Sequence, residues 1–173
     1  MRRLILFRHA KTDRPEGVRD VDRPLAGRGR RAAPQMGATL ADAGLIPDLA
    51  LVSPARRATE TWDLAKPALG TVPERSEPRL YEASVETLLA VVRETDPGVG
   101  TLLMVGHNPG FERLAARLVG EGDAAARDRL AEKFPTAAVA VIDFPTEDWR
   151  KVAPGSGRLE RFVTPRSLES DAD

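Results

Sequence analysis

The sequence predicts a three-layer α/β/α sandwich around a mainly parallel central sheet. Two observations carry that expectation. Short apolar runs with strand character alternate along the chain with segments of helical apolar spacing, the pattern of successive β-α units. Three of the runs stop abruptly at polar residues, before Arg8-His9, at Ser53 and at Gly106-His107, and sheets of this class bind ligands beyond the C-terminal ends of their strands.

The elements follow in order. Leu4 to Phe7 is a compact apolar run and the first strand. Lys11 to Pro24, with Pro15, Gly17 and many charges, is a long loop. Ala32, Ala33, Met36, Leu40 and Ala43 predict a helix over about 29–43, with Gly44 as its stop. Gly27 and Gly29 read as turn glycines ahead of that helix, since no strand feeds them and the Walker pattern is absent. Leu49 to Val52 is a second strand, followed by Ser53 as N-cap, Pro54 at the first helical position, and a helix to Ala65. Pro67 to Pro78 is a connection. Ser84 caps a helix running to about Glu94 that buries Leu88, Leu89, Val91 and Val92. Thr101 to Val105 is a third strand, and Phe111, Leu114, Ala115 and Leu118 mark the helix behind it. Ala137 to Phe144 and the alternating, more exposed Arg158 to Val163 complete the strands. Trp62, Trp149 and Tyr81 read as packing or rim residues. Residues 1–168 are expected to form a single domain, with Glu169 to Asp173 as a frayed acidic tail.

Composition excludes several kinds of function. The chain balances 26 Lys and Arg against 26 Asp and Glu, so no global charge draws it to nucleic acid or to an anionic membrane. Without cysteine it has no disulfide framework, thiolate nucleophile or Cys-based zinc site, and two histidines are few for a metal centre. No cofactor motif is present. The basic and apolar N-terminus has the outward form of a secretory leader, but its apolar run is too short and meets Arg8 at once. No segment approaches the roughly 20 apolar residues of a membrane span, and a cytoplasmic protein is expected. No pattern sets an oligomeric state.

Both histidines, His9 and His107, fall directly after predicted strands and on the same rim. A histidine imidazole can attack an activated phosphoryl group and hold it covalently until water removes it. The transferred group carries charge on its equatorial oxygens and needs fixed donors around one imidazole. Arginine suits that task because its planar fork gives two hydrogen bonds to one phosphate. Arg8 beside His9, and Arg57 in the first turn after the second strand, are placed to do so. Of the adjacent Arg56 and Arg57, only one can readily face the rim.

The segments LILFRHAKTD (4–13), DRPLAGRGRRAAPQM (22–36), LVSPARRATET (51–61), RLYEAS (79–84) and LMVGHNPGFERLA (103–115) resemble the histidine phosphatase superfamily. The pairing of RHAK with DRPL is similar to its small SixA-type branch. The resemblance implies a phosphoglycerate mutase-like fold and phosphohistidine phosphatase activity without metal or cofactor. It implies His9 as nucleophile, Arg8, Arg57 and a protonated His107 as the phosphate pocket, and Arg57 rather than Arg56 by its place four residues after Ser53. Glu82 stands where larger members carry a proton donor, or is simply a surface acid. Arg23 resembles a further phosphate-side arginine of that branch, or anchors its loop by a salt bridge. Lys11 and Asn108 lie near the rim by sequence neighbourhood, though Lys11 reads as a solvated loop lysine rather than a ligand. Ala10 stands where many members have glycine, and the chain lacks the long insertion that forms a lid in larger members. The open site implied suits a phosphorylated protein or a bulky phosphomonoester. The alternatives are a small-metabolite phosphatase or mutase on the same scaffold, and a non-catalytic phosphate-binding domain.

Overall fold

A computed structural model describes residues 1–171 of the chain. In chain order its elements are β1 (Arg2–Arg8), α1 (Gly27–Asp42), β2 (Leu49–Val52), α2 (Arg56–Ala65), β3 (Glu74–Ser76), α3 (Val85–Arg93), β4 (Thr101–Gly106), α4 (Gly110–Leu118), β5 (Val119–Gly122), α5 (Ala124–Glu132), β6 (Val139–Phe144), β7 (Gly157–Val163) and α6 (Pro165–Asp171), with short 3₁₀ turns between some of them. The strands form one sheet in the order β3-β2-β4-β1-β6-β7-β5. Only β6 runs against its neighbours, so the sheet is mostly parallel.

Side chains alternate across β1, and the alternation sorts the core into two halves. Leu4 and Leu6 pack with Leu88, Val92, Phe111, Leu114 and Leu118 from α3 and α4. Ile5 and Phe7 pack on the other face with Ala33, Met36, Leu40, Ala58 and Trp62 from α1 and α2. The three layers are therefore helices, sheet and helices. Leu4 to Phe7 are fully buried, as a strand covered on both faces requires. The chain leaves β1 toward the face of α1 and leaves β4 toward the face of α4. Because β1 and β4 are neighbours, a crevice opens between their C-terminal ends, the point where such folds receive ligands.

The structure differs from the sequence expectation in several places. Helix α2 begins at Arg56, with Ala55 as an N-cap that offers no side-chain bond. Ser53 is not that cap because its backbone N–H still donates to Val105 O at 3.0 Å, which holds it to the sheet. Gly27 and Gly29 lie inside the first turn of α1 rather than ahead of it. Gly29 is needed for a close approach, since a Cβ there would sit 2.2 Å from Lys11 O. The 67–78 connection contains β3, whose exposed Glu-Arg-Ser sequence carries no apolar alternation. The sequence reading also missed β5 and α5, the latter capped by Asp123 through Ala126 N–H. Helix α6 carries the backbone through Asp171, within the tail expected to fray, and Ala172 and Asp173 lie outside the described residues.

Candidate active site

The register of the central strands brings the two histidines together. Arg8 pairs with Gly106 in the parallel β1–β4 ladder, so the next residue on each strand is a histidine. The bond from His9 N–H to Gly106 O, 3.0 Å, continues the ladder one step beyond the paired strands. The two rings lie 5.2 Å apart between centroids, and both residues are more than nine-tenths buried. Next to them β2 delivers Ser53, wholly buried, whose Oγ is 2.7 Å from His107 Nε2.

The His9 ring has one nitrogen assigned by its neighbour. His9 Nδ1 lies 2.8 Å from Ala10 O, and since a carbonyl only accepts, Nδ1 carries the proton and Nε2 keeps a free lone pair. Burial pushes His9 down to about 3; its bond to Ala10 opposes the shift, while His107, Arg8 and Arg57 reinforce it. Near neutral pH it is an uncharged imidazole. His107 is pushed down to about 4 by burial first and by Arg57 next, with Asp20 opposing and Arg8 adding to the shift. Without an anion in the site His107 is therefore neutral near pH 7, whereas the expected protonated His107 belongs to the phosphate-bound state. Two cations beside a buried ring make a third charge unfavourable.

Arg57 and Arg8 supply the positive charge. The Arg57 side chain is 8% exposed, whereas Arg56 is 56% exposed and pairs with Glu60 one turn along α2. Arg57 Nη1 donates to Asp20 O at 2.8 Å and Nη2 to Asp20 Oδ2 at 3.1 Å. Arg8 Nη1 donates to Phe134 O at 3.1 Å, and burial lowers its pKa, with Glu112 opposing and Arg57 reinforcing. Among the described residues, two buried side-chain polar atoms have no hydrogen-bond partner, Arg8 Nε and His107 Nδ1. Leaving such an atom unpaired costs about 1–3 kcal/mol, so a polar partner supplied to either one is a net gain.

The other expected residues separate into two groups. Glu82 lines the cleft of about 320 Å³ that also holds Arg57, His107, Asn108 and Tyr81. It is exposed, and its φ of 54° is a left-handed conformation that non-glycine residues seldom adopt. Asn108 is spent on scaffolding. Its Nδ2 donates to Phe134 O at 2.8 Å, and its Oδ1 accepts from Glu112 N–H at 3.3 Å. Arg23 donates to Asp20 Oδ1 at 3.0 Å and Asp13 O at 3.2 Å, which makes it a loop anchor one carboxylate away from Arg57. Lys11 is exposed and lines a different groove.

Sequence reasoning missed Asp20 and underrated Tyr81. The Asp20 carboxylate accepts from Arg23, Arg57 and the Tyr81 hydroxyl, and these bonds, that from Tyr81 foremost, hold it below the usual carboxylate range. The Tyr81 ring lies edge-on to His107 at 5.5 Å and 5.8 Å from the Arg57 guanidinium carbon. Asp20 had one available signal, its place three residues before Arg23 in the charged loop. Among the described residues, no three His, Asp or Glu side chains gather in a way that could hold a metal ion, and no helix is long and apolar enough to cross a membrane.

Residues 4–96 match the family described as the histidine phosphatase superfamily, branch 1. An uncharacterized Mycobacterium tuberculosis protein is 40% identical over 162 residues, covering 92% of this chain and all of the relative. A crystal structure of an Agrobacterium tumefaciens SixA, for which phosphohistidine phosphatase activity is proposed, superposes with a TM-score of 0.81 at 30% identity. That match covers 95% of this chain and 98% of the other. A SixA structure from Nakamurella, with the same activity proposed, gives 0.82 at 28% identity over 95% of this chain and 96% of its own.

Proposed function

The chain belongs to the histidine phosphatase superfamily, and on that footing we propose that it is a metal-independent phosphatase acting on phosphohistidine proteins through a covalent phospho-His9 intermediate. The observation that carries this reading is the pair of unpartnered buried atoms, Arg8 Nε and His107 Nδ1, beside an imidazole whose Nε2 lone pair is free. In the first step His9 Nε2 forms a bond to phosphorus as the bond to the substrate's imidazole breaks. Arg8, Arg57 and His107 face the charge on the equatorial oxygens, and the anion itself favours the protonated form of His107. In this reading the Ser53 hydroxyl, which also accepts from Ala55 N–H at 3.3 Å, shares a hydrogen bond with His107 Nε2 and leaves Nδ1–H for an anion. A phosphohistidine leaving group needs little help once protonated, so Glu82, exposed at the cleft edge, or solvent supplies the proton. Water then attacks phosphorus, the bond to His9 breaks, and inorganic phosphate leaves.

The test is a burst experiment with a phosphohistidine peptide. Wild type should accumulate an acid-labile phosphoenzyme, and His9→Ala should form none and lose turnover at least 10³-fold, on the scale of removing a nucleophile. Turnover by His9→Ala, or activity that EDTA abolishes and metal restores, overturns the mechanism. Phosphoglycerates and an aryl phosphate in the same assay locate the substrate class.

A further inference from the structure

A second groove, distinct from the cleft that holds His107, starts two residues from the nucleophile. Lys11, Arg28, Lys133 and Arg166 line it together with Thr136 and Thr164, and among the described residues no acid does; it encloses about 340 Å³. In a chain with equal numbers of acids and bases this is a local excess of one sign. Lys11, Arg28 and Lys133 are exposed, and none of their side chains makes a hydrogen bond or ion pair among the described residues.

Two further features mark the groove as more than a solvated face. Arg28 lies in the first turn of α1, which contains no acidic residue. The helix dipole disfavours cations there, so the fold's stability does not account for it. The wall opposite is tied to the catalytic strand. Ala137 N–H donates to both Arg8 O and His9 O, at 3.1 and 2.9 Å, and Phe134 O accepts from Arg8. The chain segment bearing Lys133 is thereby fixed against the residues that carry the phosphate site. The third wall is the start of α6.

We propose that this groove receives an acidic stretch of the substrate protein beside its phosphorylated residue, an inference that rests on the phosphoprotein reading above. Two residues of extended chain span about 7 Å. An acid two to four residues from the phosphohistidine would therefore reach Lys11 and Arg28 while the phosphate sits at His9. The groove lining contains no aromatic side chain on which a base could stack, which separates it from a single-stranded nucleic-acid site. Exposed pairs of this kind contribute little singly, and three acting together correspond to about a 5–30-fold preference.

The experiment uses two phosphohistidine peptides of equal length, one flanked by Asp and Glu and one by Ser and Gln, with a small phosphoramidate as reference. The acidic peptide should show about 5–30-fold higher kcat/KM at low salt. That preference should collapse in 0.5 M NaCl and in the double variant Arg28→Glu/Lys133→Glu, whose turnover of the small phosphoramidate stays at the wild-type level. Equal kcat/KM for the two peptides, or a preference retained by the double variant, overturns the proposal. Loss of phosphoramidate turnover by wild type would instead refute the phosphatase reading. In that event the groove is still tested by fluorescence anisotropy with the unphosphorylated acidic peptide, which should bind wild type and not the double variant. Tighter binding of a single-stranded oligonucleotide than of the acidic peptide would assign the groove to nucleic acid.

Discussion

Arg56 and Arg57 are chemically identical neighbours, and the turn of α2 gives them opposite surroundings. Arg57 is buried against Asp20 and Tyr81, whereas Arg56 faces solvent beside Glu60. Removing a donor to the developing phosphoryl charge costs about 2.7–4 kcal/mol, so Arg57→Ala should lower kcat/KM on the order of 10²–10³-fold. Arg56→Ala removes only an exposed i,i+4 pair and should stay within about two-fold. The reverse order in steady-state assays would mean that the other arginine serves the phosphate. Asp20 sits where it competes with an incoming anion for Arg57 and Arg23. Asp20→Asn removes its charge but leaves the 2.8 Å bond from Arg57 to the Asp20 backbone oxygen, so the arginine keeps its place. Vanadate should then bind about 3–10-fold more tightly, and weaker binding would show that the carboxylate chiefly positions Arg57. The sequence marked His9, His107 and Arg57 because each lies one to five residues beyond an apolar strand. Asp20 was hidden because its partners Tyr81 and Arg57 are 61 and 37 positions away.

At the level of elements, the strands at the middle of the sheet were readable and those at its edges were not. β1 and β4 are buried on both faces and must be apolar, whereas β3 is three exposed polar residues held by backbone pairing to β2. The register that joins His9 to His107 is a tertiary property of β1 and β4, and periodicity within either strand does not contain it. Gly29 illustrates how the elements position the site. Its Cα meets the Lys11 backbone, and Lys11 O in turn accepts from Ala26 N–H at 2.9 Å, so α1 clamps the loop immediately after His9. Gly29→Ala places a methyl 2.2 Å from Lys11 O, a backbone atom that cannot rotate away. The variant should lose about 1–3 kcal/mol of stability in urea unfolding, in the range of overpacking. It should also lose activity by displacing His9. A variant as stable and active as wild type would show that the α1 contact does not set the loop.

Zero net charge is a property of the whole chain, and the fold redistributes it: Lys11, Arg28 and Lys133, without an ion pair among the described residues, gather along one groove, while two histidines are enclosed with Arg8 and Arg57 at the crevice between β1 and β4. Enclosing those histidines couples the site to global stability. The unfolded chain binds protons on both as pH falls below about 6.5. The folded protein keeps them off until about 4 for His107 and about 3 for His9, so stability is lost as pH falls from 7 toward 4. By pH 5 the loss is on the order of 2 kcal/mol for each histidine. The carboxylates held low, Asp20, Glu74 and Glu77, contribute stability that disappears only below the ordinary carboxylate range, so the interval from pH 7 to 5 isolates the imidazoles. Urea unfolding at the two pH values should show the drop in wild type and about half of it in His107→Gln. Because His9 stays neutral in the folded state, kcat/KM should persist at pH 5 while stability declines. A stability that does not change between pH 7 and 5 would mean that the folded pocket admits the protons, and activity at pH 5 would then fall with the neutral fraction of His9.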